Sequence, residues 1–336
     1  MSKVYYKKCE LNDEVNNIVY ELITKIIKEN EIKLPNMVPI KVHFGEEGNE
    51  TYLPAITYDQ IIDYLQSKNV ETAFIETNVL YRGLRTNRSA HIKLALDHGF
   101  TKIPIIIADG ENGECYHEVE INKTLFQKCF IGAEFKNYDQ YVICSHFKGH
   151  CLSGFGGAIK QLGMGFAARG GKLAQHSHSK PKIQKNKCTQ CGICLLNCSS
   201  EAIDISNSHI NHEKCNGCAI CISICPLDAI SFDWQASHFN QRLAEYALAA
   251  SIGKRNIYIN FIANITNDCD CMGHKMDIIA KNIGVLASLD PVAIDTASLD
   301  LLQKNEGQKL FDSGRSCLTH ACNIGLGSMG YELVKI

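Results

Sequence analysis

The sequence lacks the features that direct a chain to a membrane, to nucleic acid or to the secretory route. Its 336 residues include no run of about 20 apolar residues, the length that a membrane-spanning helix needs. The first residues, MSKVYYKKCELNDEV, lack the apolar stretch of a secretory signal. The formal net charge is only −2, so neither a basic nucleic-acid surface nor an acidic tail is indicated. We therefore expect a cytoplasmic protein with no membrane and no nucleic-acid partner.

Cysteine, in contrast, is abundant. The chain has 17 cysteines, and eight of them lie in one short segment near its middle. Disulfides in a reducing compartment are mostly transient, whereas metal sites and catalytic thiols persist there. We therefore expect this segment to bind metal.

The eight cysteines form two sets of four at an offset of 27 residues, which indicates an internal duplication. The first set is Cys188, Cys191, Cys194 and Cys198, and the second is Cys215, Cys218, Cys221 and Cys225. A Cys-x-x-Cys-x-x-Cys loop places three thiolates around one face of a four-iron cube, and the fourth ligand must come from elsewhere. Zinc is the competing metal, although zinc modules usually offer two separated cysteine pairs.

Residues 183–233 resemble a bacterial-type two-cluster ferredoxin, a small α+β domain. In such ferredoxins the fourth thiolate of each [4Fe-4S] cluster comes from the other repeat. The resemblance implies that Cys188, Cys191, Cys194 and Cys225 hold one cluster, and that Cys215, Cys218, Cys221 and Cys198 hold the second. It also implies one-electron transfer, sensitivity to oxygen and a redox partner protein. Pro226 follows Cys225, as in bacterial-type ferredoxins. Ser199 follows Cys198, and there the sequence departs from the ferredoxin pattern.

The arms on either side alternate between helix and strand patterns. Residues 12–30 carry apolar side chains from Val15 to Ile27 at helical spacing, and Asp290 precedes a further helix. Thr57 and Gln60 predict a capping box for a second helix. Segments such as ETAFIET, QYVICSHF and NIYINFIA predict buried strands. We therefore expect an α/β fold, a mostly parallel sheet flanked by helices, divided into residues 1–180, the inserted domain 183–233 and residues 235–336.

Several polar segments follow the predicted strands. In order they include HFGEEGN, TNVLYRGLRTN, ADG, SHFKGH, GFGGAIKQLGMG, CDC and DPVAID. This series, with its cysteine-rich insert, resembles the iron-sulfur centre proteins built on domain of unknown function 362. The resemblance implies a shared architecture for the clusters and brings no established reaction with it.

Open α/β sheets bind ligands at the carboxyl ends of their strands, so these segments contain the candidate site residues. The predicted catalytic residues are His146, Lys148, His150, Cys269 and Cys271. A second site for a metal or a small anionic ligand is predicted at His43, His146, His150, Cys269 and Cys271, with Glu46 and Glu47 facing the same crevice. Two thiols as close as Cys269 and Cys271 can chelate a metal, resolve a disulfide or act as a redox pair. Lys160 adds charge to a glycine-rich segment that either binds an anion or packs tightly beside the insert.

Two functions are consistent with this pattern. In the first, the protein is an oxidoreductase of undefined substrate, and the clusters carry electrons to or from a redox site in the α/β body. In the alternative, it is a non-catalytic electron carrier or a cluster- or metal-handling protein whose body docks a partner. Convergence of His146, His150 and Cys269 in one pocket would favour the first function.

Overall fold

The computed structural model describes residues 1–9, 12–234 and 237–336, without the side chains of residues 12–17. Within these residues the helices are α1 (Asn12–Glu29), α2 (Asp59–Ser67), α3 (Arg88–Asp97), α4 (Ala158–Gly163), α5 (Arg169–His176), α6 (Ile193–Leu196), α7 (Ile220–Ile224), α8 (Phe239–Ser251), α9 (Pro291–Glu306) and α10 (Arg315–Asn323). The strands are β1 (Ser2–Lys8), β2 (Ile40–Lys41), β3 (Phe74–Glu76), β4 (Ile105–Ile107), β5 (Tyr116–Glu120), β6 (Lys128–Gly132), β7 (Val142–His146), β8 (Lys148–His150), β9 (Gly154–Gly156), β10 (Lys182–Ile183), β11 (Ile203–Asp204), β12 (His209–Ile210), β13 (Ile230–Ser231), β14 (Ile257–Ile262), β15 (Ile265–Thr266), β16 (Ile278–Ala280), β17 (Gly284–Ser288) and β18 (Tyr331–Lys335). None of the described helices is both long enough and apolar enough to span a membrane.

An eight-stranded sheet forms the centre of the fold, with the order β18-β1-β17-β14-β7-β2-β3-β4. Strands β14, β7, β2, β3 and β4 run parallel to one another, and β18 runs parallel to β1. Strand β17 is antiparallel to both β1 and β14, so seven of the eight strands point the same way. The predicted α/β fold with a mostly parallel sheet is confirmed.

Helices cover both faces of this sheet and give it two hydrophobic cores. Along the central strand β7, Val142 and Cys144 pack in a core with α1 and α2. Ile143 points to the other face, where it packs with residues of α4, α8 and α9. Because successive strand residues face opposite sides, one continuous apolar segment supplies both cores.

Helix ends follow from local chemistry in some places and from packing in others. Asp290 caps α9 as predicted, accepting the N–H groups of Val292 and Ala293 at 2.9 and 3.0 Å. Helix α1 occupies the predicted residues, although the side chain of Val15 lies outside those described. The predicted capping box of α2 is wrong, because the chain enters this helix through a 3-10 turn and no side chain caps it. Gln60 instead accepts the backbone N–H of Tyr20 at 2.9 Å.

Residues 182–231 repeat one local structure twice. Strand β10 pairs with β13 and β11 pairs with β12, both antiparallel. At the 27-residue offset, β10 corresponds to β12 and β11 to β13. Left-handed backbone conformations also recur, at Gln190 and Gly217 and again at Gly192 and Ala219. The duplication in the sequence therefore has a counterpart in the backbone.

Candidate functional site

Two narrow cavities divide the eight cysteines of the duplicated segment. One cavity is lined by Cys188, Cys191, Cys194 and Cys225. The other is lined by Cys198, Cys215, Cys218 and Cys221. Each cavity combines three cysteines of one repeat with the last cysteine of the other, which is the same grouping as in the crossed ligand sets of two-cluster ferredoxins.

Backbone N–H groups face four of these sulfurs in a pattern that also repeats. The N–H groups of Gln190 and Gly217 face the sulfurs of Cys188 and Cys215, with N–S distances of 3.4 Å. Those of Ala202 and Ala229 face the sulfurs of Cys198 and Cys225 at 3.3 Å. Such donors orient a thiolate ligand and stabilise its negative charge.

The spacing of the sulfurs is wider than a single zinc ion requires. A single tetrahedral zinc ion, with Zn–S bonds of about 2.3 Å, brings its sulfurs to about 3.8 Å from one another. In the described part of the chain, no three of the eight cysteines bring their sulfurs within 4.8 Å of one another. The wider arrangement fits a cluster that binds each thiolate at a different corner.

A separate pocket of about 400 Å³ lies at the carboxyl ends of β2, β3 and β7. The predicted site residues that line it are His43, His146, Lys148, His150, Lys160, Cys269 and Cys271. They come from three separated segments and meet there because parallel strands end at the same edge of the sheet. Glu47, expected to face the same crevice, is exposed and does not line the pocket.

The Cys-Asp-Cys segment is held by its middle residue. Cys269 and Cys271 are joined by a disulfide, with their Cα atoms 5.1 Å apart. The buried Asp270 carboxylate contacts His146 Nδ1 at 3.0 Å and Lys148 Nζ at 2.8 Å. Burial raises the pKa of Asp270, but His146 and Lys148 outweigh it and hold this pKa well below its usual range. The anchored aspartate leaves both neighbouring sulfurs lining the pocket.

His146 and Lys148 therefore contact the Cys-Asp-Cys segment directly. The second ring nitrogen of His146, Nε2, lies 2.7 Å from the carbonyl oxygen of Ala263. Both nitrogens of His146 thus face oxygen acceptors, and both bonds form only when each nitrogen carries a hydrogen. Neither nitrogen is left to ligate a metal, so the geometry gives His146 a positioning role.

Arg85 is a pocket residue that sequence reasoning did not single out. It follows β3 and is fully buried, where its side chain contacts Glu46 at 3.2 Å, the Tyr81 hydroxyl, and His43 Nε2 at 2.8 Å. Gly45 N–H donates to the other ring nitrogen of His43 at 3.1 Å. Burial and the charge of Arg85 lower the pKa of His43 well below its usual value, which keeps the ring neutral. The only signal for Arg85 in the sequence was its place in the family-like segment TNVLYRGLRTN.

Lys160 lies beside the disulfide, with Nζ 3.5 Å from Cys269 Sγ. Its helix, α4, is held by Asp295, which accepts the N–H groups of Ala158 and Ile159 at 2.7 and 2.9 Å. Gly157 permits this approach, because a Cβ there would lie 2.4 Å from the Asp295 carboxylate. Burial, aided by the nearby Lys148, lowers the pKa of Lys160 to about 7.

Two cationic groups of the pocket lie beyond ion-pair distance of any carboxylate that the structure describes. Two of its cations have acidic partners, in the pairs Arg85–Glu46 and Lys148–Asp270. Lys160 and Lys172 have no carboxylate oxygen within 4.0 Å among the described residues. The buried Ser145 hydroxyl also lines the pocket and has no hydrogen-bond partner there. His150 uses Nδ1 to accept two backbone N–H groups, which leaves Nε2 for a ligand. This set of groups is suited to an anion.

Helix α5 connects the pocket with the second cysteine cavity. Lys172 and His176 of this helix line the pocket. On its other side, a Cβ at Gly170 would lie 3.0 Å from the carbonyl oxygen of Gly217 and 3.1 Å from Cys218 Cα. Leu80, which also lines the pocket, packs in a small core with Leu173 and Ala219. The loop of the second cysteine set therefore packs directly against the wall of the pocket.

Comparison with known proteins places this architecture in a family. No curated protein matches the chain. Among solved structures, it is similar to the lactate racemase apoprotein from Thermoanaerobacterium thermosaccharolyticum, with 14% identity, a TM-score of 0.42, and coverage of 85% of this chain and 54% of that one. It is also similar to a protein from Thermotoga maritima, with 11% identity, a TM-score of 0.42, and coverage of 94% and 60%. The chain thus spans less than two thirds of either structure. The family model described as Domain of unknown function (DUF362) matches residues 38–300, and the chain belongs to this family.

Proposed function

We propose that this protein carries two [4Fe-4S] clusters in an inserted ferredoxin-like domain, residues 183–233, and uses them for one-electron transfer. The observation that carries the proposal is the division of eight cysteines between two cavities, each with three sulfurs from one repeat and one from the other. The repeated N–H contacts to sulfur and the wide sulfur spacing support iron-sulfur clusters over zinc.

The proposal also assigns different surroundings to the two sets of cysteines. The set with Cys218 lies against helix α5, whose other side lines the pocket. The set with Cys191 has solvent-exposed neighbours, and Leu196 is 85% exposed. Exposed apolar side chains near a redox centre are typical of a surface that a partner contacts. We therefore assign the set with Cys191 to the partner side and the set with Cys218 to the pocket side.

The pocket supports an oxidoreductase over a simple carrier. His146, His150 and Cys269 line one cavity together with Lys160 and Lys172, which have no described carboxylate within ion-pair distance. A body that only docks a partner has no need for such a cavity. Arg85, Lys160, Lys172 and Ser145 favour a small anionic substrate that reacts beside the Cys269–Cys271 pair.

Metal analysis of protein purified without oxygen tests the proposal. We expect about eight iron and eight acid-labile sulfide per chain, the content of two four-iron cubes. Cys115→Ser is the matched control, because Cys115 is a free exposed cysteine outside both cavities. Colourless protein, or zinc without inorganic sulfide, would contradict the proposal.

A further inference from the structure

The disulfide in the pocket is a second redox-capable group beside the eight clustered cysteines. We propose that Cys269 and Cys271 form a reversible dithiol–disulfide centre that exchanges with a small, carboxylate-bearing disulfide in the pocket. This inference deepens the proposed function and rests on it. Their Cα atoms are 5.1 Å apart, within the range in which a disulfide forms without backbone movement. Both residues line the pocket, so the pair is within reach of a ligand.

Contacts around the pair favour redox chemistry over metal binding. His43 is the only further ligand group within 4.8 Å of both sulfurs in the part of the chain that the structure describes. Both of its nitrogens face N–H groups, of Gly45 and of Arg85, so whichever nitrogen carries the lone pair of the neutral ring already has a donor facing it. The carboxylate of Asp270 is held by His146 and Lys148 instead of facing the sulfurs. A metal at this place would have two sulfurs and no free third protein ligand, fewer than zinc takes in proteins.

The two sulfurs differ in a way that assigns them different steps. Cys271 is partly exposed, whereas Cys269 is 4% exposed and lies beside Lys160. In the dithiol form, the Cys271 thiolate attacks one sulfur of the substrate disulfide and releases the first product thiol. The Cys269 thiolate, stabilised by the Lys160 ammonium, then attacks Cys271 Sγ and releases the second product thiol.

The electrons and protons that this exchange passes to the substrate must be replaced before the protein can react again. Two electrons and two protons pass to the substrate, which leaves as two thiols, and the protein retains the Cys269–Cys271 disulfide. Return to the dithiol requires two electrons and two protons. An iron-sulfur centre, which donates one electron at a time, supplies these electrons in two steps. The proposed function assigns such centres to this chain.

Charge in the pocket selects the substrate class. Lys160 and Lys172 have no carboxylate within 4.0 Å among the described residues, and the Ser145 hydroxyl has no partner. A carboxylate on the substrate would neutralise these amines and accept the hydroxyl hydrogen. A neutral disulfide of the same size gains neither interaction.

Trapping of the mixed disulfide tests the proposal. The protein is reduced with dithiothreitol, freed of reductant without oxygen, and mixed with 3,3′-dithiodipropionate or with the neutral bis(2-hydroxyethyl) disulfide. In Cys269→Ser, we expect a propionate adduct at Cys271 in peptide mass spectra, formed at least about tenfold faster than the hydroxyethyl adduct because the amines attract the anion. In Cys271→Ser, we expect no adduct at the buried Cys269. The unsubstituted protein should release two product thiols for each Cys269–Cys271 disulfide that forms.

The outcomes separate this inference from the proposed function, because dithiothreitol replaces the iron-sulfur donor and iron is measured in the same samples. Iron-containing protein that forms no adduct at Cys271 and releases no thiol would overturn the inference alone. Equal rates with both probes would overturn the substrate class. A metal that blocks alkylation of the pair until a chelator is added would replace the redox centre by a metal site. Adducts in protein without iron would support the inference and contradict the cluster assignment.

Discussion

The buried ion pairs of Asp270 predict a large loss of stability when its charge is removed. Asp270 is fully buried, and its carboxylate is the acidic partner of both His146 and Lys148. Substitution Asp270→Asn keeps the size of the side chain and removes its charge, which leaves Lys148 buried without an acidic partner. Breaking a buried ion pair on one side costs about 3–5 kcal/mol, whereas an exposed pair contributes little. We therefore expect a loss of about 3–5 kcal/mol in the free energy of unfolding.

Urea unfolding without oxygen, followed by far-ultraviolet circular dichroism, measures this loss. Asp97→Asn is the matched control, because it breaks the exposed pair with Lys93 and should leave the unfolding midpoint unchanged. The double variant Asp270→Asn with Lys148→Met should be less destabilised than the two single losses added together, since the uncompensated charge is removed. If Asp270→Asn unfolds at the same urea concentration as Asp97→Asn, the assignment of Asp270 as the anchor is refuted.

The pH dependence provides a second measurement of the same network. The pKa of Asp270 is lower in the folded protein than in the unfolded chain, where it is about 3.9. The charged carboxylate therefore contributes stability that is fully present above that unfolded value and is lost as the pH falls through the lower folded value. Asp270→Asn lacks this contribution, so its stability should fall less steeply than that of the parent on the acid side.

Three further predictions concern the other sites. Cys191→Ser and Cys218→Ser should each retain about half of the parent's iron and sulfide, because each removes one ligand of one cube; full iron content in both would contradict the ligand sets. Gly157→Ala should lose about 1–3 kcal/mol of stability, because its Cβ would lie 2.4 Å from the Asp295 carboxylate. At Gly156 the nearest atom to an added Cβ is 3.7 Å away, so the control Gly156→Ala should unfold like the parent in the same urea assay. Binding of 3,3′-dithiodipropionate, measured by calorimetry, should weaken as the pH rises through about 7, where Lys160 loses its proton; Lys160→Met should bind weakly at every pH, and an unchanged pH dependence in that variant would exclude Lys160.

Much of the fold could be predicted because its signals are local. Alternating helix and strand patterns predicted the mostly parallel sheet, and Asp290 before Pro291 predicted the start of α9. The place of the pocket followed from a general rule, since loops after neighbouring parallel strands meet at one edge. The antiparallel strand β17 was not predicted, because its pairing with β1 joins the two ends of the chain, and a strand pattern does not specify its partner.

The roles within the pocket could not be predicted from the same patterns. His146 and Lys148 were predicted to be catalytic, and that role stays a prediction; their contact with Asp270, which lies 124 residues from His146 in the sequence, could not be predicted. Arg85 lies in a loop without regular structure, so no periodicity indicated that its side chain would be buried beside His43. Residue type and spacing locate polar groups near a site, but the pairing of buried charges depends on which loops meet.

The contact between the insert and helix α5 makes the two equivalent cysteine sets unequal. The repeats share their cysteine spacing, their N–H contacts and their left-handed backbone positions, so these features do not distinguish one cysteine set from the other. Among the described residues, the loop of the second set packs against α5 at Gly170, where a Cβ would lie 3.0 Å from the carbonyl oxygen of Gly217 and 3.1 Å from Cys218 Cα. In the proposed function, a preferred direction of electron transfer would come from this contact, and the small size of residue 170 is the feature of the sequence that permits it.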